Sequence, residues 1–180
     1  KAITALEKID KSIVSKIPSL KVISKYGVGI DMIDQQALKD YNIKFNFPKG
    51  VNKRSVSELT LSMMISLLHR VSESSQLVVQ RHWKQVIGKE LTGKKIGIIG
   101  SGNIGKDLIK LLIPFKCKIF INDILDQPKT IYGKRCYQVS LNELLRLSDV
   151  ITLHTPLDHS TKNLISTSQF SKMKINSIII

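Results

Sequence analysis

Residues 95–123, KIGIIGSGNIGKDLIKLLIPFKCKIFIND, decide how the rest of the chain is read. An apolar run at 96–99 leads into Gly100-Ser101-Gly102-Asn103-Ile104-Gly105. Ile104, Leu108, Leu111 and Leu112 then recur at helical spacing, and a second apolar run, 118–121, ends at Asn122-Asp123. Strand, glycine turn, helix, strand and acid in this order form the pattern of a dinucleotide-binding unit. Gly100 permits a sharp exit from the strand. Gly102, with no Cβ, lets a pyrophosphate lie against the backbone, and Gly105 lets the helix pack closely on the strand. The helix start at Asn103 and Ile104 offers free N–H groups and the positive end of a dipole to the phosphates. Asp123 is placed to accept hydrogen bonds from the adenosine ribose hydroxyls. Its charge would repel a 2′-phosphate, so NAD is expected rather than NADP.

Composition narrows the setting. The chain has 180 residues, a formal net charge of +14 and 42% hydrophobic residues, enough apolar content for a true core. No apolar run approaches the roughly 20 residues that a membrane span needs, so no membrane role is expected. Cys117 and Cys136 have no metal-like spacing and no CxxC pairing, which points to a reduced, cytoplasmic setting without a metal. The basic excess is mostly lysine spread along the chain. No basic patch interleaved with aromatics appears, and nucleic-acid binding is not expected.

Working outward, residues 1–6 read as a strand, 10–17 as a short helix, 20–24 as a strand, 32–41 as a helix and 43–47 as a strand stopped by Pro48. Between the second strand and the second helix lies Lys25-Tyr26-Gly27-Val28-Gly29-Ile30-Asp31. Glycines directly after a strand expose backbone N–H groups at the carboxyl end of a sheet, where ligands bind in open α/β sheets. Residues 49–54 read as a hinge. Ser55-Val56-Ser57-Glu58 has capping-box spacing, and Leu59, Met63, Leu67 and Val71 mark a long helical face. From 72 to 93 the pattern stays helical but more polar, as a projecting arm around Trp83. Beyond Asp123, strands are expected near 136–139, 149–154 and 177–180. Capped helices are expected at 141–147 and after Ser166. Strands alternating with helices imply an α/β fold: a doubly wound, right-handed parallel sheet of Rossmann type over 51–180, and a second βα system over 1–50. A cleft between the two would hold substrate against the nicotinamide.

KYGVGIDMID, NFPKGVNKRSVSELTLSMM, GKKIGIIGSGNIG with Asp123, and DVITLHTPLDHSTKNLI together resemble the D-isomer-specific 2-hydroxyacid dehydrogenases, in particular their phosphoglycerate dehydrogenase-like branch. The resemblance implies that 1–50 is the C-terminal part of a flavodoxin-like substrate domain and 51–180 an NAD-binding domain. It implies NAD contacts from Val28, Gly100, Gly102, Asn103, Ile104, Gly105, Asp123, His154, Thr155 and Pro156, and a substrate-carboxylate contact from Val28 and Gly29. The substrate would be a small 2-hydroxy or 2-oxo acid. A homodimer would form through the helix from Ser55 and the arm near Trp83. The family's catalytic arginine, acid and histidine are expected beyond Ile180; none of His69, His82, His154 and His159 sits in that motif. The piece shown is therefore expected to bind but not to turn over. The branch implied is D-3-phosphoglycerate dehydrogenase; the alternatives are a glyoxylate or hydroxypyruvate reductase and a non-catalytic NAD-binding remnant. Many phosphoglycerate-type members carry Arg-Ser after the first strand of this region, where this chain reads Leu6-Glu7-Lys8. The usual glycine after the phosphate-binding helix is replaced within Pro114-Phe115-Lys116-Cys117.

Overall fold

A computed structural model describes all residues from Lys1 to Ile180. The chain divides into two compact units, residues 1–52 with 156–162, and residues 53–155 with 163–180.

The first unit is a three-stranded parallel sheet, β1 (Ala2–Thr4), β2 (Val22–Lys25) and β3 (Lys44–Asn46), in that order. Helix α1 (Lys11–Val14) is capped by Asp10, which accepts from Ser12 N at 2.9 Å. Helix α2 (Gln35–Asp40) is capped by Asp34, which accepts from Ala37 N at 2.9 Å. The expected start of α2 at residue 32 is thus three residues early: Asp34 takes extended backbone and spends its carboxylate on the helix mouth. Val14, Ile23, Ala37 and Leu38 form the core.

The second unit holds a six-stranded sheet, order β6-β7-β5-β4-β8-β9. Its strands are β4 (Lys95–Ile99), β5 (Lys118–Asn122), β6 (Thr130–Ile131), β7 (Lys134–Gln138), β8 (Val150–Leu153) and β9 (Ile178–Ile179). All neighbours are parallel except β6, which pairs antiparallel with β7, so the sheet is not wholly parallel as expected. The cause is a tight turn through Tyr132-Gly133, both at positive φ, between segments too short to show a period.

Alternation along β4 sets the layers. Ile96 and Ile98 face α3 (Lys53–Leu68) and α5 (Asn103–Leu112), packing with Met64, Leu108, Ile109, Ile119 and Ile121. Ile99 faces α6 (Leu141–Leu147), packing with Phe120, Leu144, Leu145 and Ile151. Each fully buried isoleucine or leucine contributes about 1.5–3 kcal/mol. Gly97 shares the α6 face: a Cβ there would lie 2.4 Å from Ser148 Oγ and 2.5 Å from Leu144 Cδ2, so α6 sits where a side chain would be.

Helix α3 begins at Lys53, not at a Ser55 cap. Ser55 lies in the first turn, and the Ser57 hydroxyl is 2.7 Å from Lys53 O and 3.3 Å from Ile104 O, tying α3 to α5. The expected helical arm is also shorter. Helix α4 (Val71–Val79) ends where Arg81 turns to φ 61°, and residues 83–91 carry no regular element. Gly88 lies against the end of α3, where a Cβ would be 2.6 Å from His69 Cα. After α5, a 3-10 turn at Ile113–Phe115 brings Lys116 to φ 54°, the left-handed geometry that glycine adopts freely. The Ser166 start forms a capping box opening α7 (Thr167–Phe170), in which Ser166 N donates to Gln169 Oε1 at 3.2 Å. No helix is long and apolar enough to cross a membrane.

Candidate functional site

Three parallel strands of the second unit end together. Gly100 follows β4, Asp123 follows β5, and His154-Thr155 follow β8. The register places Ile99 beside Asn122 and Leu153. Gly100 N donates to Asn122 O at 2.8 Å, and His154 N donates to Ile99 O at 2.7 Å, which draws the three strand ends together.

The three glycines of the turn stand in different surroundings. Gly100 takes φ 85°, and a Cβ on it would lie 2.8 Å from His154 O and 2.9 Å from Thr155 Cγ2. A Cβ on Gly105 would lie 2.6 Å from Gly100 O and 3.2 Å from Ile98 Cγ2, so α5 can meet β4 only through hydrogen. At Gly102 nothing lies within 4 Å of the Cβ position. Gly102 is also the N-cap of the ten-residue α5 and supplies no side chain to it, so the first-turn N–H groups of Asn103, Ile104 and Gly105 face no side-chain acceptor. An open apex above a helix mouth without a side-chain cap leaves backbone N–H donors free to face an anion. Within the turn Ser101 is fully buried, and its Oγ has no partner.

Asp123 closes the other side. Its Oδ2 accepts from Ser101 N at 2.6 Å and its Oδ1 from Leu125 N at 3.0 Å. These bonds aim the carboxylate across the glycine turn, and an ionised carboxylate has acceptor capacity for about two further donors. His154 is half-buried, with Nε2 3.0 Å from Thr152 Oγ1. Burial pushes its imidazole down to about 4, so the ring is neutral at neutral pH and lends no charge to the site.

Gly100, Gly102, Asn103, Ile104, Gly105, Asp123, His154 and Thr155 therefore belong to one unit, at one end of one sheet. Val28, Gly29 and Pro156 belong to the other. There Gly27 takes φ 126°, and half-buried Val28 and exposed Gly29 follow in the loop beyond β2. A residue the sequence reading passed over sits at the end of β2. Lys25 is only 7% exposed, and its Nζ donates to Ala5 O. The signal was available, since Ile23 and Lys25 fall on the same side of the strand. No group of three histidine, cysteine, aspartate or glutamate side chains could hold a metal ion.

The second unit is thus a dinucleotide-binding α/β unit of Rossmann type. The chain belongs to the D-isomer-specific 2-hydroxyacid dehydrogenase family: residues 61–180 match its NAD-binding domain. Among its relatives, the hydroxypyruvate reductase of Thermotoga maritima is 34% identical over 175 residues, covering 96% of this chain and 56% of that protein. The D-3-phosphoglycerate dehydrogenase of Methanocaldococcus jannaschii is 32% identical over 177 residues, 96% of this chain and 34% of that protein. Among solved structures, the D-lactate dehydrogenase of Aquifex aeolicus, complexed with NAD and lactic acid, superposes with a TM-score of 0.91 at 29% identity, covering 99% of this chain and 54% of that one. The chain spans about half or less of the length of these relatives.

Proposed function

We propose that this chain is the cofactor-holding part of an NAD-dependent oxidoreductase acting on the CH–OH group of a D-2-hydroxy acid. The observation that carries the reading is the open Gly102 apex under an uncapped α5, faced by the Asp123 carboxylate. Bound NAD would supply the hydride chemistry. Gly102, Asn103 and Ile104 would hold its pyrophosphate, Asp123 its ribose, and Thr155 and Pro156 the nucleotide pocket; neutral His154 would pack beside it. Val28 and Gly29 would offer backbone N–H groups to the substrate carboxylate. In this reading residues 1–50 serve the substrate and 51–180 the cofactor, and the arginine, acid and base of the reaction lie outside these 180 residues.

The phosphoglycerate dehydrogenase-like branch is the finer reading. One observation favours the second, a glyoxylate or hydroxypyruvate reductase-like activity. Glu7 stands just beyond β1, its carboxyl lowered to about 2 by the Ala5 N–H and the Thr4 hydroxyl that bond it. A fixed anion there opposes a phosphorylated substrate. A second copy of the chain would cover the apolar row of Leu59, Met63, Leu67, Val78 and Trp83, all exposed, the last at 96%. Two free, buried cysteines suit a reducing, cytoplasmic setting.

Calorimetry with NADH and NADPH, on the parent protein and on Asp123→Ala, tests the cofactor assignment. NADH should bind the parent at least tenfold more tightly than NADPH, and the variant should lose most of that preference, since a charge-assisted hydrogen bond is worth about 1.5–3 kcal/mol. Equal affinities in the parent would overturn the role of Asp123.

A further inference from the structure

A cavity lies in the second unit at the end of the sheet opposite the glycine turn, where β4, β8 and β9 begin. Its volume is about 310 Å³, and Lys89, Lys94, Asp149, Lys174, Asn176 and Ser177 line it together with two apolar side chains. The one acid among them is already engaged. Asp149 Oδ1 accepts from Lys174 Nζ at 2.6 Å and Oδ2 from Lys95 N at 2.9 Å. Burial alone would raise the Asp149 carboxyl, but the bonds from Lys174 and Lys95 and the charges of Lys174 and Lys94 outweigh it and keep the group ionised. Lys174 is therefore neutralised, while Lys89 and Lys94 form no ion pair.

The backbone carrying these cations is fixed. Lys89 N donates to Leu68 O at 2.8 Å, Lys94 N to Leu91 O at 3.1 Å, and Ser177 N to Lys174 O at 3.0 Å. Two ammonium groups without an ion pair stand on anchored backbone beside neutral Asn176 and Ser177, so an anion bound there has only their side chains to order. Lysine serves as a point-charge partner for phosphate.

We propose that this cavity is a second anion site, distinct from the glycine turn, which takes a small dianion of the phosphate class through Lys89 and Lys94. The test is a ³¹P line-broadening titration of inorganic phosphate into the full-length protein at constant ionic strength. The parent should show saturable binding. Lys89→Gln/Lys94→Gln should weaken it at least tenfold, and Ile175→Glu, which sets a carboxylate at a fully exposed position on the rim, should do the same without removing a lysine. Gly102→Val, which fills the glycine turn, and Lys39→Gln/Lys44→Gln, which removes two cations elsewhere, should leave it within twofold. A titration in which Gly102→Val abolishes binding would assign the phosphate to the glycine turn instead and overturn the proposal. So would one in which the lysine pair and Ile175→Glu change nothing. Glycerol 3-phosphate in place of inorganic phosphate distinguishes the sources: competition between them shows that the site takes the ester as well as the free ion.

Discussion

Gly97 and Gly102 are five residues apart and carry opposite consequences. A methyl on Gly97 must displace Leu144 and Ser148, so Gly97→Ala should cost about 1–3 kcal/mol of stability. A methyl on Gly102 meets no protein atom but stands where the phosphates would lie. Gly102→Ala should therefore leave urea denaturation within about 0.5 kcal/mol of the parent while lowering NADH affinity at least tenfold. If both variants lose stability equally, the open apex is not what Gly102 supplies. At this scale the strand exit at Gly100 and the close packing at Gly105 were legible from their spacing alone. Gly97 was not, because a glycine inside an apolar run shows no period and its reason lies across the sheet in α6. Lys25 differs from Gly97: its alternation with Ile23 was readable, but a lysine that ends a strand is ordinarily a surface residue, and only its burial shows otherwise.

At the scale of elements, α3 and α5 are joined by Arg54 Nη2–Asp107 Oδ1 at 3.0 Å. The two ends are unequal. The Asp107 side chain is 7% exposed and its Oδ2 has no partner, whereas the Arg54 side chain is 42% exposed. Removing the arginine strands a charge in the core; removing the acid frees a cation that can turn to water. Arg54→Met should then cost about 2–3 kcal/mol and Asp107→Asn about 1 kcal/mol or less by urea denaturation. The reverse order would mean that Asp107 is not held by Arg54. Helix α6 fell on its expected residues because Ser140 opens it, with Glu143 N donating to Ser140 Oγ at 3.3 Å, and the strand pattern resumes just after it. The Ser55 box failed because the residues before it are themselves helical. The end of α4 failed because nothing in local composition marks Arg81 as the residue that turns left-handed. The partner of Asp107 lies 53 positions away, beyond the reach of any local pattern.

For the whole molecule, the order of strands and helices was readable from alternating periods. The return of 156–162 to the first unit was not readable, since that segment continues directly from a strand of the second. The cysteines give the molecule a property of its own. Cys117 and Cys136 lie inside the layer between the sheet and α5, and burial pushes both thiols up, that of Cys117 to about 11. At pH 8 the thiolate fraction of Cys117 is then about one in a thousand, and the closed core denies an alkylating reagent access to it. Iodoacetamide should therefore modify either cysteine only when the sheet comes apart, and NADH bound at the far end of the same sheet should slow that modification by about the factor 1 + [L]/Kd. Labelling that outruns unfolding measured by denaturant would show the layer to be open. The two sulfurs thus act as a built-in clock: without any tag, the rate at which they are consumed counts how often the nucleotide-holding unit lets go of its own shape.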